Sequence, residues 1–266
     1  VVRKRNMRRN RRWWLVAAAS VAILFGGLAV YRYSKIPVSL PLASEETSLY
    51  PGKRMARLIT PSGETVLLDT LRQTDTQQMK LHNDQGRVVI QAACGDANGD
   101  QPVYHCLEVP RGGEFSFLLP DSTTVFLNAE SRLRFPDRFV PGSERIVYLS
   151  GEAYFDVKRD PRSPFLVCLE HSAVKVTGTS FNVKAYPDDT NEATTLISGT
   201  VSMGIGTTEQ WIVLKPGEQG YYDATRKTLL QQTVDVNYYT AWKDGVFAFY
   251  RQPLEEVMKT LGCWYL

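Results

Sequence analysis

Glu152 and Asp156 stand four residues apart in a Gly- and Tyr-containing stretch. Paired carboxylates can divide general acid and general base work. No further carboxylate or aromatic subsite accompanies them to mark a sugar cleft, so they read as two solvated residues near a turn. Gly178-Thr179-Ser180 puts a Gly two residues before a Ser. The second Gly of a nucleophile elbow is missing, and no helix follows. His82, His105 and His171 show no H-x-H, H-x-x-x-H or HExxH spacing, and the four Cys form no CxxC. Neither pattern indicates a metal site. No glycine-rich phosphate loop is present, so no cofactor is expected. Cys94 and Cys106 flank the loop GDANGDQ, as a hairpin staple would; two unpaired thiols fit as well. Closing a loop of that size contributes about 3 kcal/mol in the chain-entropy model. Cys168, between apolar neighbours in FLVCL, reads as a core residue.

The elements around these residues begin with 13–31, WWLVAAASVAILFGGLAVY, which holds no charged side chain. As a helix it rises about 30 Å, the thickness of a hydrocarbon core. Seven cations precede it, and only Arg32 and Lys35 follow closely. Excess positive charge stays inside, which places the N-terminus in the cytoplasm and the rest across the inner membrane. Trp13, Trp14, Tyr31 and Tyr33 suit the two interfaces. A cleaved secretory signal shares the basic start. The apolar run here is longer than the usual h-region, and no small-x-small site follows. The whole chain carries +3. Without those seven cations the remainder carries −4, so the basic character belongs to the membrane stub and implies no nucleic-acid partner. Residue 1 is Val and the basic run begins abruptly, so further sequence is expected upstream.

Residues 34–56, with Pro37, Pro41 and Pro51, read as an extended tether. From Arg57 to Thr233 the pattern is β throughout, with short Val/Ile/Phe/Tyr/Thr runs between Gly, Pro, Asp and Ser. LITPSGETVLLD (58–69) and FLLPDSTTVFLN (117–128) align without gaps and predict one hairpin used twice. RIVYL (145–149) and AYFDV (153–157) predict a hairpin around Ser150-Gly151-Glu152. Further hairpins are expected at 165–177 and 181–197, with a turn at 215–218. Strands this short suggest an antiparallel sandwich or an irregular β-coil. After 233 the character changes. VFAFY (246–250) predicts a strand. Leu254, Val257, Met258 and Leu261 then give one helical stripe, expected to pack on its own sheet, with Pro253 in the first turn and Gly262 as C-cap. Cys263-Trp264-Tyr265-Leu266 would open another strand, making a βαβ-type unit that continues beyond this sequence.

Five blocks in order, VPRGGEFSFLLPDSTTVFLNAESRLRF, ERIVYLSGEAYFDVKRDPRSPFLV, VKVTGTSFNVKAY, TTLISGTVSM and LKPGEQGYY, resemble the FecR family over about 108–222. These are membrane-anchored anti-sigma regulators of Gram-negative bacteria. The extra hairpin at 58–69 and the start at Trp242-Lys243-Asp244-Gly245-Val246-Phe247 resemble the Bacteroidetes branch. The resemblance implies a transmembrane relay from an outer-membrane TonB-dependent transporter, carrying a siderophore or glycan, to a cytoplasmic ECF sigma factor. The sigma factor would be held by a helical domain that this sequence lacks. Some members are reported to cleave themselves at a Gly-Thr bond, which matches Gly178-Thr179. A Thr hydroxyl could attack the preceding carbonyl if the backbone were strained there. Alternatively, Gly178 merely lets two strands pass closely.

The expected organisation is a cytoplasmic stub (1–12), a transmembrane helix (13–33), a periplasmic linker (34–56), a mainly β, hairpin-rich periplasmic domain (57–233) and the start of an α/β signalling module (234–266). The module resembles the short N-terminal signalling domain of secretins and TonB-dependent transporters. Its aromatics Trp242, Phe247, Phe249, Tyr250, Trp264 and Tyr265 are the candidates for contact with the transporter's signalling domain, through strand addition. No catalytic residue is assigned, and sensing or relay is favoured over catalysis. The alternative reading is a membrane-anchored carbohydrate-binding or envelope-assembly protein.

Overall fold

A computed structural model describes residues 53–68, 74–75, 79–84, 87–92, 101–206 and 210–265. Its strands, in chain order, are β1 (Lys53–Arg54), β2 (Arg57–Ile59), β3 (Thr65–Leu67), β4 (Thr74–Asp75), β5 (Met79–Asp84), β6 (Arg87–Ala92), β7 (Tyr104–Val109), β8 (Gly113–Leu118), β9 (Thr124–Leu127) and β10 (Ser131–Pro136). There follow β11 (Arg145–Asp156), β12 (Phe165–Cys168), β13 (Ser172–Val176), β14 (Ser180–Ala185), β15 (Asn191–Ser198), β16 (Val201–Ile205), β17 (Trp211–Leu214), β18 (Glu218–Asp223) and β19 (Thr228–Thr233). Two short helical turns, α1 (Asn237–Thr240) and a 3-10 turn (Ala241–Asp244), precede the terminal helix α2 (Leu254–Trp264). Among the described residues no helix is long and apolar enough to cross a membrane. The apolar segment 13–31 lies outside the described residues, as do the tether 34–52 and Cys94.

The strands form two sheets. The first runs β3-β2-β7-β10-β11-β12-β13-β16-β17, antiparallel except for β11 with β12. The second runs β4-β5-β6-β8-β9-β11-β14-β15-β18-β19, antiparallel except for β6 with β8. Alternate residues point into the space between them, as in β7 and β8, where buried and half-buried positions take turns. Phe117, Phe135, Phe155, Phe165 and Phe181 are fully buried there. Phe155 stacks on Phe181 at 5.2 Å and Phe117 packs on Phe135 at 5.5 Å. Both predicted Pro-turn hairpins form, β2 with β3 and β8 with β9.

β11 corrects one expectation. Residues 145–156 make no hairpin; they are one strand that passes from the first sheet to the second. Up to Ser150 it pairs with β10, and from Gly151 onward with β14. Gly151 sits at φ +105, and a Cβ there would lie 2.6 Å from Ser131 Cα. Only glycine tolerates both conditions, so the chain swerves between sheets where Ser-Gly-Glu suggested reversal.

Cys168 is corrected too. It lies half-buried on the outer side of the first sheet, beside Tyr148 and Ala173, because the period-2 alternation turns its neighbours Phe165 and Val167 inward.

Two corrections fall after Thr233. VFAFY forms no strand: residues 246–249 are irregular, and no ladder reaches them. Strand-favouring side chains need a hydrogen-bonding neighbour, and Phe247 turns instead onto Trp264 at 4.9 Å. The terminal helix also runs past Gly262 to Trp264, with Pro253 as N-cap and Tyr265 as C-cap.

Candidate functional site

The second sheet has an outer face, and the C-terminal segment lies on it. On β11 the inward residues are Ala153 and Phe155, so Glu152 and Tyr154 point outward. On β14 the inward residues are Phe181 and Val183, so Asn182 and Lys184 point outward. Such positions are usually wet. Here Glu152 and Asn182 are buried, because Trp242 covers them.

The covered face is a connected polar network. Asn128 Nδ2 donates to one Glu152 carboxylate oxygen at 2.8 Å, and Asn182 Nδ2 to the other at 2.9 Å. Trp242 Nε1 donates to Asn182 Oδ1 at 3.1 Å. The Glu152 backbone N–H donates to Ser131 Oγ at 2.8 Å. Burial pushes the Glu152 carboxyl above its ordinary pKa; Lys184 and the two amides oppose that shift only in part. The expectation that Glu152 is solvated is therefore wrong for Glu152, while its mate Asp156 is exposed and accepts from Ser180 Oγ at 2.9 Å. The row continues along the sheet, where Gln232 donates to Gln219 and Gln219 to Thr195.

Other contacts close the seam. Ala129, Trp242 and Trp264 form a small apolar cluster with Phe126, Tyr154, Phe247, Cys263 and Tyr265. Gly112 N–H donates to the Cys263 carbonyl at 2.7 Å. Lys259 reaches Asp189 at 2.7 Å. The Cys263 thiol is pushed up to about 12 by burial and by its hydrogen bond with Glu130. Between segment and sheet an open cleft of about 850 Å³ remains, with Glu152, Asn182 and Trp242 among its lining.

The predicted partner residues thus divide. Trp242 and Trp264 are buried in the seam; Phe247, Phe249 and Tyr265 are half-buried; Tyr250 is exposed. The helical stripe was expected against its own sheet, yet Leu254 is 73% and Met258 59% exposed. The helix packs through its C-terminal end, because Trp264 offers more area to bury than any residue of the stripe. Tyr238, Val246, Tyr250, Leu254 and Met258 are the segment's large exposed apolar side chains, with Tyr238 stacked on Tyr250 at 5.3 Å.

Gly178 has φ +150, and a Cβ would fall 2.7 Å from Arg159 Cα. Flanking bonds hold the bend: Asp160 N–H donates to the Thr177 carbonyl at 2.8 Å and Val157 N–H to the Thr179 carbonyl at 3.0 Å. The Thr179 hydroxyl donates to the Thr200 carbonyl at 3.0 Å. Among the described residues no ionisable group bonds to that hydroxyl. The arrangement matches close strand passage, and nothing in it activates the hydroxyl. His171, Ser172 and Glu192 resemble a triad by type, but imidazole and hydroxyl both engage the carboxylate and not each other. Cys106 is a free thiol in the structure, and burial raises its pKa. Among the described residues no group of three His, Cys, Asp or Glu could hold a metal ion.

Sequence reasoning singled out Glu152 and Trp242 for other roles, missed Asn128 and Asn182, and did not join the four into a network. Its members lie on four separate segments, and Asn128, Glu152 and Asn182 look like ordinary surface positions in each.

These features define a two-sheet β domain whose outer face is capped by its own C-terminal segment. The model of the FecR family, described as FecR protein, matches residues 106–202. A crystal structure of a candidate anti-sigma factor from Parabacteroides distasonis ATCC 8503 is similar at 36% identity and a TM-score of 0.57, covering 61% of this chain and 75% of that one. A second crystal structure from the same organism, under the same description, gives 36% identity, a TM-score of 0.56 and coverage of 60% and 74%. No curated protein matches. The chain belongs to the FecR family, and its role is that of an anti-sigma regulator.

Proposed function

We propose that this protein is an inner-membrane relay. Residues 13–33 cross the membrane once, with the N-terminus in the cytoplasm. The β domain and the C-terminal segment stand in the periplasm. The partner outside is the signalling domain of a TonB-dependent transporter, and the partner inside is an ECF sigma factor. Family membership supports the anti-sigma role. The basic stub and the uncharged run 13–31 support the topology.

The observation that carries the contact surface is the exposure of Val246, Tyr250, Leu254 and Met258 on the C-terminal segment. Large apolar side chains grouped in one segment mark an interaction site more often than scattered ones do. Trp242 and Trp264 then serve to seat the segment, while the exposed side chains meet the transporter. In this reading the β domain is the rigid base and works without catalysis.

The test is made in the native bacterium. The protein carries an affinity tag and is recovered with its partners in the presence and absence of the transporter's cargo. Recovery of an ECF sigma factor and of the transporter supports the relay. Recovery of neither, from membranes that hold the tagged protein, removes it.

A further inference from the structure

We infer that the cleft between the second sheet and the C-terminal segment binds an organic cation, an ammonium or guanidinium group carried on a small amine or on a lysine or arginine side chain. This goes beyond the relay, and its test needs neither sigma factor nor transporter.

The Glu152 side chain, 9% exposed, is among the residues that line the cleft. Each of its oxygens accepts one amide N–H, from Asn128 and from Asn182. A carboxylate has about four acceptor sites, so roughly half of its capacity is unused. Among the described residues it has no ion-pair partner within the cleft. Lys184, the cation that most influences it, is held by Asp189 at 3.6 Å. Arg111 is paired with Glu130 and Lys259 with Asp189. A buried, uncompensated carboxylate is costly, and a cation is what relieves the cost. Its raised pKa reports the same deficit.

The surroundings select the same ligand class. Three cationic and six acidic side chains line the cleft. Asp188, Glu255 and Glu256 are the acids at its edge that make no ion pair among the described residues. That balance repels anions. Tyr239, Trp242, Phe247 and Phe249 supply aromatic walls. The negative face of such a ring attracts an ammonium or guanidinium that has left water. A neutral sugar would meet the aromatics and amides but leave the buried charge uncompensated. The cleft also touches both the sheet and the segment, so an occupant bridges the two.

The experiment is isothermal titration calorimetry on the 266-residue chain in mild detergent. The probes are agmatine, cadaverine and the tripeptide Gly-Arg-Gly, with sodium glutamate at equal ionic strength as the control. Saturable binding of at least one cationic probe, with a Kd below about 1 mM, and none of glutamate is expected. Glu152→Gln keeps the shape and removes the charge, and should weaken binding about tenfold or more. Phe249→Leu removes a ring at similar bulk, and should weaken it about threefold to tenfold. Binding of the free amines assigns the site to small amines, and binding of the tripeptide alone assigns it to a side chain. The inference is overturned if no cationic probe saturates by about 10 mM, or if glutamate competes with them. It is also overturned if Phe249→Leu and the folded Glu152→Gln bind as the original does. Should Glu152→Gln not fold, Phe249→Leu and the double variant Glu255→Gln/Glu256→Gln decide the matter.

Discussion

The indole N–H of Trp242 donates to Asn182 Oδ1 at 3.1 Å, joining positions 60 residues apart. Asn182 passes the connection to Glu152, on the strand shared by both sheets. The C-terminal segment is thus seated by a hydrogen bond into a buried network as well as by a small apolar cluster.

Trp242→Phe keeps an aromatic ring, smaller than the indole, and removes the donor. It leaves a buried carbonyl unpaired, which costs about 1–3 kcal/mol. The expected readout is faster amide exchange in residues 237–265, with exchange in β11 and β14 unchanged. Lys259→Ala removes a half-exposed ion pair with Asp189 and should cost less than about 1 kcal/mol. Equal effects of the two substitutions would mean that the seam does not depend on the indole bond.

Glu152 makes stability depend on pH. Its folded pKa lies above the ordinary value of 4.5. The folded state therefore holds this proton more tightly than the unfolded state. Stability from that proton is complete below about 4.5 and is lost as pH rises through the folded pKa. Relative to Glu152→Gln, the original chain should lose stability on going from pH 4.5 toward neutrality. Urea unfolding of both at several pH values measures this, and a difference that stays flat with pH would exclude it.

Gly178→Ala and Gly151→Ala each place a Cβ against a neighbouring backbone at unfavourable φ. Each should cost about 2–4 kcal/mol and lower the midpoint of thermal unfolding. The Thr179 hydroxyl is committed to the Thr200 carbonyl, so the Gly178-Thr179 bond is expected to stay intact. Intact mass spectrometry of the purified chain should show one full-length species. Two fragments meeting at that bond would show that the committed hydroxyl can still react.

Much of the β domain was legible. Alternation fixed the faces of β7 and β8. Pro-Ser-Gly and Pro-Asp-Ser announced the turns that join β2 to β3 and β8 to β9. Misreadings came where one local pattern serves two geometries. Ser150-Gly151-Glu152 would suit a reversal, but here it carries a strand between sheets. VFAFY has strand-favouring residues and no neighbour to pair with among the described residues. The seam was illegible for a different reason. Asn128, Glu152 and Asn182 occupy outward positions, where polar residues normally meet water. Their burial is imposed by Trp242, and no local pattern reports a lid that arrives from so far along the chain.

The relay itself is tested most directly by titrating the 266-residue chain with the purified signalling domain of a TonB-dependent transporter from the same bacterium. The account predicts saturable binding, abolished by Leu254→Asp/Met258→Asp. Those residues are exposed, so thermal stability should change by no more than about 0.5 kcal/mol. Absence of binding at about 100 μM, or binding that the double variant leaves untouched, would contradict it.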